Sequence, residues 1–291
     1  REEASDREKD GDAAGAEHYR WQAEALLDGA DSLKEQIRQA GNAAGRMELR
    51  RMEDTMLWTA QNLMGTYHSL EAEQAAASAR AEAQKHLSEK VKDQEMLGSS
   101  TSYHSQEAYQ KWQSALNEYE RLKKEQERVR QELLLLTGFS PDSPVVLEKM
   151  PLPDVSRAAL VNPQEDRQQA LGNNYELRSG RMGNAGSNQE LHKKQRQTEL
   201  DENQMFASLE TLGDQIRSCQ AEWEAACAKE QAQRAVWQSA VRKREQGTMA
   251  EGEYLEIYSQ YMEEKGNQAQ ASIRFLLAME EYDWAKKGLM D

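Results

Sequence analysis

The sequence predicts an all-α protein built from two repeated long antiparallel coiled-coil helical hairpins, and three observations predict it. Apolar residues recur at alternating three-and-four spacing through four long segments. All five prolines fall in one stretch, Pro141, Pro144, Pro151, Pro153 and Pro163. Each half then carries one glycine-bearing break inside its helical pattern, at Gly98 and at Gly247.

Composition agrees with long solvated helices. Of 291 residues, 38% are hydrophobic and 30% charged, with 3 phenylalanines. The formal net charge of −14 argues against sequence-independent binding to nucleic acid or an anionic membrane, because both need clustered Lys and Arg. The basic runs Lys193-Lys194-Gln195-Arg196 and Arg242-Lys243-Arg244 are short and lie beside acidic residues, as on a solvated helix face. No stretch approaches the roughly 18 to 20 apolar residues of a membrane-spanning helix. The chain begins at Arg1, which fits either a removed signal sequence or a trimmed chain.

Taken in order, residues 1–16 are charged and poor in large apolar groups, as expected of a disordered acidic leader. Residues 17–138 form the first hairpin repeat: a short helix, a hinge at Gly41-Asn42-Ala43, a long helix over about 46–97, a tip, and a returning helix. The long helix carries the stripe Leu49, Met52, Met56, Thr59, Leu63, Thr66, Leu70, and the returning one carries Trp112, Leu116, Tyr119, Leu122, Val129, Leu133, Leu136. Between them Gly98-Ser99-Ser100-Thr101-Ser102 supplies a turn and helix N-caps. Residues 139–168 are a proline-rich connector with a short helix around Val155 to Val161, since proline cannot continue a helix. Residues 169–291 are the second repeat, with stripes Met205, Leu209, Leu212, Ile216, Cys219, Trp223, Ala226 and then Leu255, Tyr258, Met262, Ala269, Ile273, Leu276, Tyr282 around a tip at Gly247-Thr248-Met249-Ala250.

The halves align as an internal repeat. Gly41-Asn42-Ala43 corresponds to Gly183-Asn184-Ala185 at an offset of 142, while the tip glycines differ by 149. The difference is one heptad, which lengthens the second long helix without moving its apolar seam off its face. At 1.5 Å per residue the long helices would reach roughly 80 to 90 Å. A lone hairpin of this kind exposes apolar surface, so self-association is expected.

The sequence offers little for catalysis. His18, His68, His86, His104 and His192 are scattered, no HExxH or paired-Cys spacing occurs, and no phosphate-binding glycine loop or nucleophile elbow is present. We therefore expect no enzyme, no metal and no cofactor. The six tryptophans sit at helical spacing, as packing groups do. Cys219 and Cys227, eight residues apart in one helix, lie roughly 12 Å from each other. That is too far for a disulfide, and Cys219 falls on the apolar stripe as a packing residue.

The tips carry a resemblance. Gly98-Ser99-Ser100-Thr101-Ser102-Tyr103-His104-Ser105-Gln106-Glu107-Ala108 resembles the Gly-x-x-[Ser/Thr]-x-x-[Asp/Glu]-x-x-x-Ala tip of the TolC-like outer-membrane efflux protein family, with His104 where the acid is expected. Gly247-Thr248-Met249-Ala250-Glu251-Gly252-Glu253-Tyr254-Leu255 is similar and keeps the acid as Glu253. Pro163, Ala170, Asn174, Glu176 and Leu177 match the family's opening of its second repeat, and the segment Leu277 to Leu289 matches its closing helix. The family's repeats also carry a β-hairpin ahead of the long helix. Here those places hold only Gly41 to Gly45 and Gly183 to Ser187, too few for membrane strands of about 9 to 11 residues. Either the chain is a barrel-less relative or the strands have been removed.

The resemblance implies a TolC-like α-barrel protomer without strands, working in the cell envelope outside the cytoplasmic membrane. It implies a homo-trimeric passive exit duct of a tripartite ABC-type efflux or secretion system, with an acidic lining and no covalent chemistry. It also implies an adaptor (membrane fusion) protein, MacA-like or HlyD-like, docked through the tips and linking the duct to an ABC transporter. The partner-binding residues it implies are Gly98, Ser99, Ser100, Thr101, His104, Gly247, Thr248, Met249 and Glu253. Read without the family, the same residues form turns, and the alternative function is that of a coiled-coil structural or scaffolding protein.

Overall fold

The computed structural model describes residues 43–181 and 186–290. The expected leader, the first repeat's short helix, Gly41-Asn42, and Gly183-Asn184-Ala185 lie outside the described residues. Two compact units divide the chain, Arg1–Asp54 and Thr55–Asp291. Of the first, the described part is helical. All packing described below belongs to the second.

Seven helices follow one another among the described residues: α1 Ala43–Met96, α2 Ser102–Leu136, α3 Val155–Ala159, α4 Pro163–Asn173, α5 Tyr175–Arg181, α6 Asn188–Glu245 and α7 Glu251–Lys287. No strand occurs among them. Ala43, expected in the hinge, is already the first residue of α1. The second long helix is the longer, with 58 residues against 54.

Local chemistry sets the boundaries. Asp154 caps α3 by accepting from the amides of Ser156 and Arg157, and those bonds hold its carboxyl below the usual range together with a bond from the Ser156 hydroxyl, the largest of the three effects. Asn162 caps α4, with Pro163 in the first turn, where its missing N–H costs nothing. Ser187 caps α6 through the Glu190 amide, while the Glu190 carboxylate reaches back to the amide of Gly186 at 2.8 Å. Asn174 ends α4 and opens α5, its buried side-chain oxygen accepting from Leu177 N at 2.9 Å.

The core sits where α4, α6 and α7 meet, around Ala170, Leu209, Ile216, Phe275, Met279 and Tyr282, with Leu212, Cys219 and Trp223 packed against it. Burial pushes the Cys219 thiol up, away from the reactive thiolate. From Ala271 onward α7 is enclosed on nearly every side. It lies against α6 on one flank and antiparallel to α1 on another, paired by Gln61 with Glu280 (3.3 Å), Glu73 with Gln270 (2.9 Å) and Arg80 with Glu263 (3.3 Å).

The α1–α7 contact corrects the expected seam. The period is heptad-like, but the phase is shifted by two residues: Gly65 and His68 are buried, while Met56 and Thr66 of the anticipated stripe are exposed and Leu63 and Leu70 half-buried. The reason is size. A Cβ on Gly65 would lie 2.6 Å from Leu277 Cδ1, and one on Gly266 would lie 3.2 Å from the Ala72 carbonyl oxygen. Large α7 side chains thus enter a surface that α1 makes from its smallest residues, and the larger α1 residues turn outward. On α2 the buried line is Ala108, Ala115, Leu122 and Val129, followed by Leu133 and Leu134.

The connector is held by two side chains that the sequence pattern did not single out. Arg130 of α2 donates to the carbonyl oxygens of Pro141 (3.4 Å), Ser143 (2.6 Å) and Val145 (3.2 Å). Buried His68 lies between the Glu148 carbonyl oxygen at 2.8 Å and the Glu71 carboxylate at 3.0 Å. Farther on, Arg157 of α3 pairs with Glu280 at 2.8 Å and with Asp283, both on α7.

Candidate functional site at the hairpin tips

Both long helices end in the same turn. At the first, Gly98 has φ +74°, its amide donates to the Glu95 carbonyl at 2.9 Å, and the Ser99 amide reaches the Gln94 carbonyl at 2.8 Å. At the second, Gly247 has φ +68°, its amide donates to Arg244 at 2.9 Å, and the Thr248 amide reaches Lys243 at 2.9 Å. This is the left-handed helix stop that glycine permits and a side chain strains. A hydroxyl doubles the outer bond each time: Ser99 Oγ donates to the Gln94 carbonyl and Thr248 Oγ1 to the Lys243 carbonyl, both at 3.0 Å.

In these positions Ser99 and Thr248 could cap the returning helices or offer hydrogen bonds outward. Instead they close the helices that arrive. Thr101 alone caps as expected, accepting from the His104 amide at 3.4 Å. Each tip keeps half of a capping box, in which an N-cap hydroxyl and an acid three residues on satisfy each other's amides. The first tip has the hydroxyl of Thr101 and lacks the acid, since His104 stands there. At the second, Glu253 stands in the acid's position without a bond to the cap amide, and Ala250, the N-cap, makes no side-chain bond.

Around equivalent backbones the chemistry differs. The first tip presents apolar surface: Met96, Leu97 and Tyr103 are 72%, 83% and 73% exposed. Its ion pairs run along α2, with Glu107 bonded to Lys111 at 2.7 Å and His104 at 3.9 Å, which together hold the Glu107 carboxyl low. Ser99, Thr101 and His104 are exposed, with Ser100 half-buried. The second tip is clasped across the turn, Arg244 pairing with Glu251 at 2.8 Å while its guanidinium lies 4.2 Å from the Tyr254 ring centre. Thr248 and Glu253 are exposed there and Met249 is half-buried.

Each hairpin thus gathers its own expected residues, Gly98 to His104 at one tip and Gly247 to Glu253 at the other. Such surfaces offer hydrogen bonds, charge and apolar contact without a convergent nucleophile or base. Among the described residues no His, Cys, Asp and Glu group is arranged to hold a metal, and no helix is long and apolar enough to cross a membrane. The exposed apolar residues beside the first tip were missed in the sequence; Met96-Leu97 directly before the glycine was the available signal.

No protein family and no curated protein matches the chain by sequence. Solved structures do match by shape. The outer membrane protein VceC from Vibrio cholerae aligns over 84% of this chain and 72% of its own, with a TM-score of 0.54 at 13% identity. CusC, which undergoes conformational changes on folding and transmembrane channel formation, aligns over 90% of this chain and 89% of its own, with a TM-score of 0.51 at 13% identity. The outer-membrane channel OprN covers 84% and 68%, with a TM-score of 0.50 at 14% identity. At such identities the likeness is one of fold: this chain has the helical fold of the TolC-like outer-membrane efflux channels.

Proposed function

We propose that the chain is a helical duct component of an efflux or secretion assembly in the cell envelope, a passive conduit and not an enzyme. The observation that carries this is the fold: two hairpins ending in equivalent turns, on a framework shared over most of its length with outer-membrane channels. In this reading three copies associate through the long helices, and an adaptor protein of an ABC-type system docks its own helical hairpin at the tips. The outward stripe of α1, with Met56 half exposed, supports self-association. The net charge of −14 opposes it and is screened by salt.

Electron microscopy of the purified protein tests the duct: hollow rings are expected, whereas solid rods would favour the scaffold. Sedimentation should show association rising with protein and salt concentration, and a strict monomer under both would count against the trimer. The tips need substitutions that spare the left-handed glycines, because side chains at Gly98 and Gly247 would disturb the turn itself. Leu97→Asp with Tyr103→Asp, and Glu253→Lys, leave the turns intact and should abolish adaptor binding or export. Full retention of both would leave the tips as turns only.

A further inference from the structure

A cavity of about 240 Å3 lies between α1, α6, α7 and the residues that follow α7, walled in part by Trp58, Leu212, Trp284 and Met290. Glu281 also lines it. The carboxyl makes no hydrogen bond or ion pair with any described residue, whereas Glu280 and Asp283 on the same helix share Arg157. A half-buried carboxylate among mostly apolar walls, with only the hydroxyl residues Ser208 and Thr211 between them, is costly unless a cation or a proton compensates it. Burial does raise its affinity for a proton. One carboxylate is too few to hold a divalent metal.

The walls favour a different partner. Trp284 is fixed by an indole N–H bond to Gln61 Oε1 at 2.6 Å, and its ring already carries one cation, with the Lys287 ammonium 4.1 Å from the ring centre. Trp58 offers a second indole. Aromatic faces beside an anion are the chemistry that recognises alkylated ammonium groups. The volume falls below the ~300–1,000 Å3 of drug-sized sites, so the ligand is compact.

We propose that this cavity binds a small organic cation, a tertiary or quaternary ammonium, with Glu281 as counter-ion and Trp58 and Trp284 as aromatic walls. The site lies at the end of the long helices away from the tips and does not depend on the docking reading. Lys287 is its internal competitor.

Saturation-transfer NMR on the full chain tests this, with choline as the probe and 3,3-dimethylbutan-1-ol as its neutral isostere. Choline should bind saturably, and the isostere at least tenfold more weakly. Glu281→Gln and Trp58→Leu should each weaken choline by at least tenfold while circular dichroism shows unchanged helix content. Lys287→Met, which removes a like charge, should tighten it. Equal binding of choline and isostere would make this an apolar cavity only. Undiminished choline binding by a folded Glu281→Gln variant, or weaker binding by Lys287→Met, would overturn the assignment.

Discussion

The two hairpins share a plan and differ in how they fill it. In the second, Trp237 of α6 stacks on Tyr261 of α7 at 4.7 Å between ring centres, with Tyr258 beside it and Tyr254 stacked on Tyr258. Counted from the tip glycines, Trp237 corresponds to Ser88 on α1. On α2 the corresponding aromatics are Tyr109 and Trp112. Tyr109 meets Trp112 of its own helix and stays half exposed, and a cleft of about 1000 Å3 opens between α1 and α2, lined by Arg80, Gln84, Tyr109 and Arg121. Near its tip the second hairpin is thus filled by aromatics from both of its helices, while the first leaves Tyr109 half exposed beside an open cleft. Equivalent backbones do not oblige equivalent burial; the size of a few residues on one helix decides it.

The largest expected effect breaks this comparison at its core. Phe275 is fully buried, and Phe275→Ala should cost about 3 to 5 kcal/mol of stability. Tyr109→Ala in the first hairpin should cost under about 1 kcal/mol, since much of that ring is already in water. Urea unfolding followed by circular dichroism measures both. Similar losses would mean that the first hairpin is as fully packed as the second.

A smaller effect is expected at the connector, where the first hairpin gains its anchorage. Arg130→Met removes three bonds to carbonyl oxygens, which water can replace once the segment loosens, so only part of the roughly 1.5 to 3 kcal/mol of a charged hydrogen bond is lost. The loss should be local, because the helices do not depend on it. Trypsin should cut faster after Lys149 in the variant, with little change in global unfolding. An unchanged cutting rate would show that His68 and the prolines hold the segment without Arg130.

The long helices and the turns at Gly98 and Gly247 were legible in the sequence because each is a local decision. Proline cannot donate, glycine permits positive φ, and apolar periodicity persists over many turns. The phase of α1 was not legible, because it depends on what α7 brings across the contact: Ile273 and Leu277 need the hollow at Gly65, and neither helix states this alone. The same holds for Arg130 and Arg157, whose partners are backbone oxygens or carboxylates remote in sequence. At the two turns the glycines that make them were legible. The direction of the Ser99 and Thr248 hydroxyls was not, since a hydroxyl between two helix ends can serve either one.

A pH experiment sharpens the contrast within α7. Burial raises the Glu281 pKa in the folded chain, so the folded state binds the proton more tightly than the unfolded one. The contribution is fully present below the unfolded carboxyl range and is lost as pH rises through the raised folded value. Glu281→Gln should remove that slope, making stability flatter with pH above about 4.3, the ordinary glutamate value. An identical pH profile in the variant would show that the carboxyl is solvated or paired.

The smallest effect concerns the divided capping box. Thr101 supplies the hydroxyl at the first tip and Glu253 the acid at the second, so one substitution completes each motif: His104→Glu at the first, Ala250→Thr at the second. An N-cap hydroxyl in place of alanine is worth about 1 kcal/mol, while an acid in the first turn adds roughly 0.3 to 1 kcal/mol through the helix dipole. Ala250→Thr should therefore protect the first amides of α7 from hydrogen exchange more than His104→Glu protects those of α2. Thr101→Ala should do the reverse at the first tip, speeding exchange at His104, whose amide loses its acceptor. The ordering matters more than the sizes, because both tips are exposed and fray without unfolding the core. Were His104→Glu the more protective, the acid and not the hydroxyl would be the dominant half of the cap.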